Sequence, residues 1–174
     1  MIISGDILLK HSLWNEAEDK LCDGFIFSRL VDLFIVSCSI GIKEDKIIEN
    51  DLSDDDKIKA IGRTTYLVKN EDVNAIFYFM FQNAILNTKH VNFDNDTRMR
   101  IAFDPDFPDE KTKINLSPTG LLVKFANYGL KQLLDLYNQN ELIYLEKIKD
   151  YLDSKTMPDY SDIIKDIINE MENF

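Results

Sequence analysis

Glycine and proline are scarce, six and four among 174 residues, so the many tight turns of a β-sandwich or barrel have little to be built from. The two cysteines, Cys22 and Cys38, lie in apolar stretches with no CxxC spacing, which predicts buried free thiols rather than a disulfide framework. The two histidines, His11 and His90, have no carboxylate or cysteine at ligand spacing, so a zinc site and a histidine general base are not expected. No GxxxxGK[ST], GxGxxG or GxSxG occurs, which leaves nucleotide hydrolysis, dinucleotide binding and serine-hydrolase chemistry without support. The longest apolar stretch, Leu30–Ile42, is interrupted by Asp32 and serines and falls short of the roughly 20 residues of a membrane span. Met1–Lys10 has no basic start, long apolar run or small-residue cleavage site, so a cytoplasmic location is expected.

Positive charge is also in short supply. Twenty Lys and Arg stand against 31 Asp and Glu, a net charge of −11, and such a surface repels the phosphate backbone. DNA contact is therefore expected only indirectly, beside a more basic subunit, or through a local basic patch.

What is present is helical patterning. With 45% hydrophobic and 29% charged residues, the chain folds as one ordinary domain. A first helix is predicted over Ser12–Leu21, with Ser12 as N-cap and Trp14 as anchor. Ser28–Ile40 reads as a helix apolar nearly all round, with Leu30, Leu33, Phe34, Ser37 and Cys38 on one face and Gly41 just past its end. Seven acids crowd Lys43–Asp56, a surface connection whose Ser53–Asp56 run predicts a short helix over Asp54–Ile61.

In Glu71–Leu86, Val73, Ile76, Phe77, Met80, Phe81, Ala84 and Ile85 repeat at helical steps. A shorter helix is expected over Asp94–Phe103, ended by Pro105. Ser117-Pro118 opens a long helix from Thr119, striped by Leu122, Phe125, Ala126, Gly129, Leu133 and Leu136. Glycine inside a helix costs about 1 kcal/mol against alanine, so Gly129 implies close approach of another backbone. A further helix is expected over Glu141–Asp153. The reading is all-α, a compact multi-helix bundle over residues 1–156 centred on Ser28–Ile40, Glu71–Leu86 and Thr119–Tyr137, with a C-terminal amphipathic appendage over 157–174.

Two places are candidate working surfaces. In the appendage, beyond Pro158, Tyr160, Ile163, Ile164, Ile167, Ile168 and Met171 form an Ile/Met face suited to a partner's groove. Arg98 and Arg100, with Lys111 and Lys113, form a possible nucleic-acid contact beside Phe103 and Phe107. The acids Asp51, Asp54, Asp55 and Asp56, and Asp94 and Asp96, suit a divalent metal and phosphodiester cleavage, yet they sit at predicted helix starts, where acids oppose the macrodipole. Asp104–Glu110 lacks the glycine and terminal glutamate of an EF-hand. No catalytic residue, metal ligand or cofactor site is assigned.

Phe27–Gly41, with its aromatic, Asp-Leu-Phe, small-apolar, Gly pattern, and Phe125–Leu134, with its aromatic-Ala-Asn-x-Gly-Leu run, resemble small proteins associated with bacterial DNA phosphorothioation (Dnd) systems. The resemblance implies a prokaryotic genome-defence setting beside larger ATPases and nucleases, and no catalytic residue. The acidic stretch Lys43–Asp56 and the tail after Met157 depart from it. The expectation is a non-enzymatic accessory subunit of an anti-phage or DNA-restriction complex, bridging an ATPase, SMC-like or other, and a nuclease. A small metal-dependent nuclease or nucleic-acid-binding protein, and an acidic DNA mimic, are the alternatives.

Overall fold

The computed structural model describes residues 5–22, 26–53, 58–65, 71–104 and 116–139, with Glu146, Lys149, Asp150 and Asp153 as further helical positions. In chain order these residues form β1 (Ile7–Leu9), α1 (Leu13–Ala17) running into a π-helical turn (Glu18–Cys22), α2 (Leu30–Glu44), β2 (Lys59–Ile61), α3 (Glu71–Asn87), α4 (Asn95–Phe103) and α5 (Pro118–Gln139). The described chain is mostly helical.

Small residues decide how α2 and α5 meet. A Cβ added to Gly41 on α2 would fall 2.7 Å from the carbonyl carbon of Phe125, and one added to Gly129 on α5 would fall 2.6 Å from that of Ser37. Residue 41 therefore faces 125 while 37 faces 129, so the helices run antiparallel with one turn of each in backbone contact. Gly129 makes the close approach its position in a helix implied. Gly41 was expected to end α2, but the helix continues to Glu44 and closes at Asp45, whose φ of 47° is left-handed. Its missing side chain serves the crossing rather than the cap.

The core grows outward from this pair. Trp14 of α1, Phe34 of α2 and Phe77 of α3 are fully buried and stack in series, with ring centroids 6.0 Å and then 5.4 Å apart. Leu33, Leu122, Phe125, Ala126, Leu130 and Leu133 complete the centre.

A two-stranded sheet was not anticipated. β1 pairs antiparallel with β2 in the register Ile7 to Ile61, Leu8 to Ala60 and Leu9 to Lys59. Ile7, Leu9 and Ile61 are buried while Leu8 and Ala60 are exposed, the alternation of a half-buried ribbon. This corrects the helix expected over Asp54–Ile61. Lys59–Ile61 is extended because pairing with β1 satisfies its backbone and places Ile61 in the core.

Candidate functional site

The acidic stretch after α2 is a clasp more than an open surface. Asp45 accepts a hydrogen bond from the Thr88 hydroxyl at 2.6 Å and one from the Lys89 amide at 3.3 Å, joining the end of α2 to the end of α3. His90 lies over the same corner, its Nε2 2.8 Å from the Asp45 carbonyl oxygen and its ring edge-on to Phe125 at 6.0 Å. Burial pushes the Asp45 carboxyl up, but bonds from Thr88 and Lys89 and the nearby His90 and Lys89 outweigh it, so it sits below the usual carboxylate range. Glu44 accepts from the Tyr128 hydroxyl at 2.8 Å, and Lys124 reaches Glu49.

Asp51 closes the other end. Its carboxylate accepts from the Ser12 amide at 2.8 Å and the Ser12 hydroxyl at 2.6 Å, and the Ser12 hydroxyl bond is the largest cause of its lowered pKa. Ser12 stands at the N-cap of α1 as expected but makes no capping bond with its own side chain; its hydroxyl points to Asp51 instead. His11 Nδ1 lies 3.5 Å from Asp51 and accepts from the Leu13 amide at 3.2 Å.

Between the two ends Asn127, fully buried on α5, anchors the stretch. It accepts from Trp14 Nε1 at 2.8 Å and donates through Nδ2 to the Ile48 carbonyl and to Asn50 Oδ1, both at 3.2 Å. A buried amide with partners on every side specifies one arrangement of α1, α5 and the connection.

The candidate site residues separate as follows. Asp94 caps α4, accepting from the Thr97 amide at 2.7 Å, and Asp96 lies in its first turn. The Arg98 guanidinium donates to the carbonyls of Phe93, Ile85 and Val91 at 2.9, 2.7 and 2.7 Å, fastening α4 to the end of α3. Arg100 is exposed on α4. Lys111, Lys113, Phe107, Asp54, Asp55, Asp56 and the tail residues Tyr160, Ile163, Ile164, Ile167, Ile168 and Met171 lie outside the described residues, as does Pro105. Among the described residues no three His, Cys, Asp or Glu side chains are grouped to hold a metal, and no helix is long and apolar enough to cross a membrane. Cys38 is buried, its thiol pKa pushed well up by desolvation, and it forms no disulfide with Cys22.

What the sequence pattern did not show is that apolar side chains on α3 and α4 stand exposed as a set, Phe103 having been noted only beside the basic patch. Phe79 is 69% exposed, Phe103 56%, Met99 52% and Ile76 40%. Ile76 belonged to the expected core stripe of α3, but the buried face centres on Val73, Phe77, Phe81 and Ala84, which turns Ile76 and Phe79 outward. Phe79 and Met80 border a groove with Ile42, Ser39 and Lys43 of α2 and Asn83 and Asn87 of α3. The available signal was an aromatic repeat, Phe77-Tyr78-Phe79, too dense for one helical face to bury.

Comparison with protein-family models, with characterised proteins and with solved structures returns no match. The runs Phe27–Gly41 and Phe125–Leu134 contain the two sides of the α2–α5 contact, with Ser37 and Gly41 in one and Phe125 and Gly129 in the other, so close helix packing accounts for the glycine in each.

Proposed function

We propose that this protein is a non-catalytic accessory subunit that works by protein–protein contact, its helices forming a compact bundle with the β1–β2 ribbon as a clip. The observation that carries the reading is the exposed apolar set Ile76, Phe79, Met99 and Phe103 on a strongly acidic chain. Solvent-facing phenylalanines on rigid helices are characteristic of surfaces that other macromolecules cover. The polar groups described here hold the chain together: Asp45, Asp51, Asn127 and Arg98 fasten one segment to another, and Asp94 caps α4.

The partners fall in the class that the two helical runs imply, an ATPase, SMC-like or other, and a nuclease effector of a prokaryotic anti-phage or DNA-restriction complex in the cytoplasm. That setting rests on the resemblance alone. The Ile/Met stripe of Tyr160–Met171 supplies a further contact, and nucleic acid is met through those partners. Purification of the chain from its native cells tests this. A stoichiometric complex is expected with wild type and should be weakened at least tenfold in Met99→Asp, Phe103→Asp; an unchanged complex would remove the apolar set from the account.

A further inference from the structure

We propose that the outer face of α3 is a self-association surface, on which a second copy of this chain packs its own α3 antiparallel across a two-fold axis through Phe79. The contact goes beyond the reading above and does not depend on it. It takes the α3 half of the exposed apolar set, Ile76 and Phe79, and leaves Met99 and Phe103 on α4 to other proteins.

Charge selects the occupant. In a chain with 29% charged residues and a net charge of −11, Val73–Thr88 carries no Asp, Glu, Lys, Arg or His. Two copies repel each other through their net charge, and this is a face on which they can meet without burying a charge. With Phe77, Phe81 and Ala84 turned inward, Ala75, Ile76 and Phe79 face solvent, Phe79 at 69% exposure, and Gln82 and Asn83 are half-buried. Depletion of charge around an aromatic anchor is the composition of an interface core, and homodimer interfaces are the more apolar kind.

Symmetry agrees with the sequence. Phe79 is the middle residue of α3, Glu71–Asn87, so an antiparallel pairing that sets Phe79 against its own copy keeps the whole helix in contact. Ile76 of one copy then lies opposite Gln82 of the other, and Ala75 opposite Asn83, each contact occurring twice as an isologous interface requires. The ends complement each other as well. α3 opens with Glu71 and Asp72, and Lys89, 75% exposed though 3.6 Å from Asp45, follows its last turn, so the acidic end of one copy lies within about one turn of the lysine of the other. The face is about 25 Å long and about 12 Å wide, one helix diameter. That is the low end of specific interfaces and fits a reversible dimer with a Kd on the order of 10 μM.

Sedimentation equilibrium of the purified full chain, over about 1–200 μM to bracket that Kd, tests the contact. The mass is expected to rise from 20.2 kDa toward twice that value with concentration. Association should tighten between about 0.05 and about 0.5 M NaCl, because the repulsion of two chains of charge −11 outweighs the few exposed pairs at the helix ends. Phe79→Asp, at an exposed position, should weaken it at least tenfold, and Ile76→Asp should do the same. For the register, Phe79→Cys in a Cys22→Ser background is expected to trap a disulfide dimer in air, whereas Lys89→Cys, about 30 Å from its own copy, should not. A mass of 20.2 kDa at every concentration would overturn the proposal and leave the face to a different protein. A dimer that survives Phe79→Asp, that salt dissolves, or that Lys89→Cys traps as readily as Phe79→Cys would overturn it too.

Discussion

Replacing Gly129 by alanine should destabilise this protein, although alanine is the better helix former. In a freestanding helix the exchange would gain about 1 kcal/mol. Here the new methyl would lie 2.6 Å from the Ser37 carbonyl carbon and 2.9 Å from its Cα, and the obstacle is backbone, which no rotamer change moves aside. To restore ordinary contact α2 and α5 must separate by roughly 1 Å, and a gap of that size forfeits a quarter to a half of each dispersion contact along the crossing. Overpacking of this kind costs about 1–3 kcal/mol net, and the length of the α2–α5 contact places the expectation near the top of that range. Gly41→Ala meets Phe125 in the same way and should cost a similar amount. The double variant should cost clearly less than the sum, because helices already parted admit the second methyl. Gly62→Ala, whose Cβ would come no nearer than 3.9 Å to Thr64 Oγ1, is the control and should stay within about 0.5 kcal/mol of wild type. Urea unfolding at constant slope measures all four. If Gly129→Ala raised the midpoint, or if the two alanines added fully, the close-approach reasoning would be wrong.

Other expectations follow from the buried polar groups. Asn127→Ala leaves Trp14 Nε1 and the Ile48 carbonyl without their partner and should cost about 2–4 kcal/mol in the same assay; a loss under about 1 kcal/mol would show that the clasp holds without it. For pH, the folded pKa values of Asp45 and Asp51 lie below the unfolded value of about 3.9, so their stabilisation is present above that value and is lost as pH falls through the folded values. Asp51→Asn should therefore flatten the acid limb of stability against pH, and an unaltered limb would contradict the role given to its bonds with Ser12.

Much of the helical core was legible because it depends on spacing. Val73, Phe77, Phe81 and Ala84 on α3, and Leu122, Phe125, Ala126 and Leu133 on α5, were expected inside and are buried. Gly129 was readable for a different reason, since a glycine amid good helix formers needs an explanation and backbone contact supplies one. The sheet was hidden because three-residue strands are too short to show alternation, and the acids before β2 imitate a helix start. Gly41 misled because a terminal glycine and a crossing glycine look alike until the neighbouring helix is known.

The acidic stretch Lys43–Asp56 was legible only in part. Its described residues lie at the surface as composition suggests, yet Asp45 and Asp51 reach Thr88 and Ser12, partners 43 and 39 residues away that no local pattern reveals. Arg98 is similar, a cation in a seemingly basic patch whose guanidinium reaches three carbonyls. The exposed Phe79 was lost among 11 phenylalanines most of which were expected inside, while Phe103 was noticed only for its place beside the basic patch.

The most direct test of the central claim, that this chain acts by holding other proteins, is native mass spectrometry of the full chain purified at its natural expression level. The account predicts a defined stoichiometric assembly that includes an ATPase and a nuclease and that loses this subunit when Met99 and Phe103 are both changed to Asp. A species of 20.2 kDa alone, with no companion protein at any concentration, would contradict it.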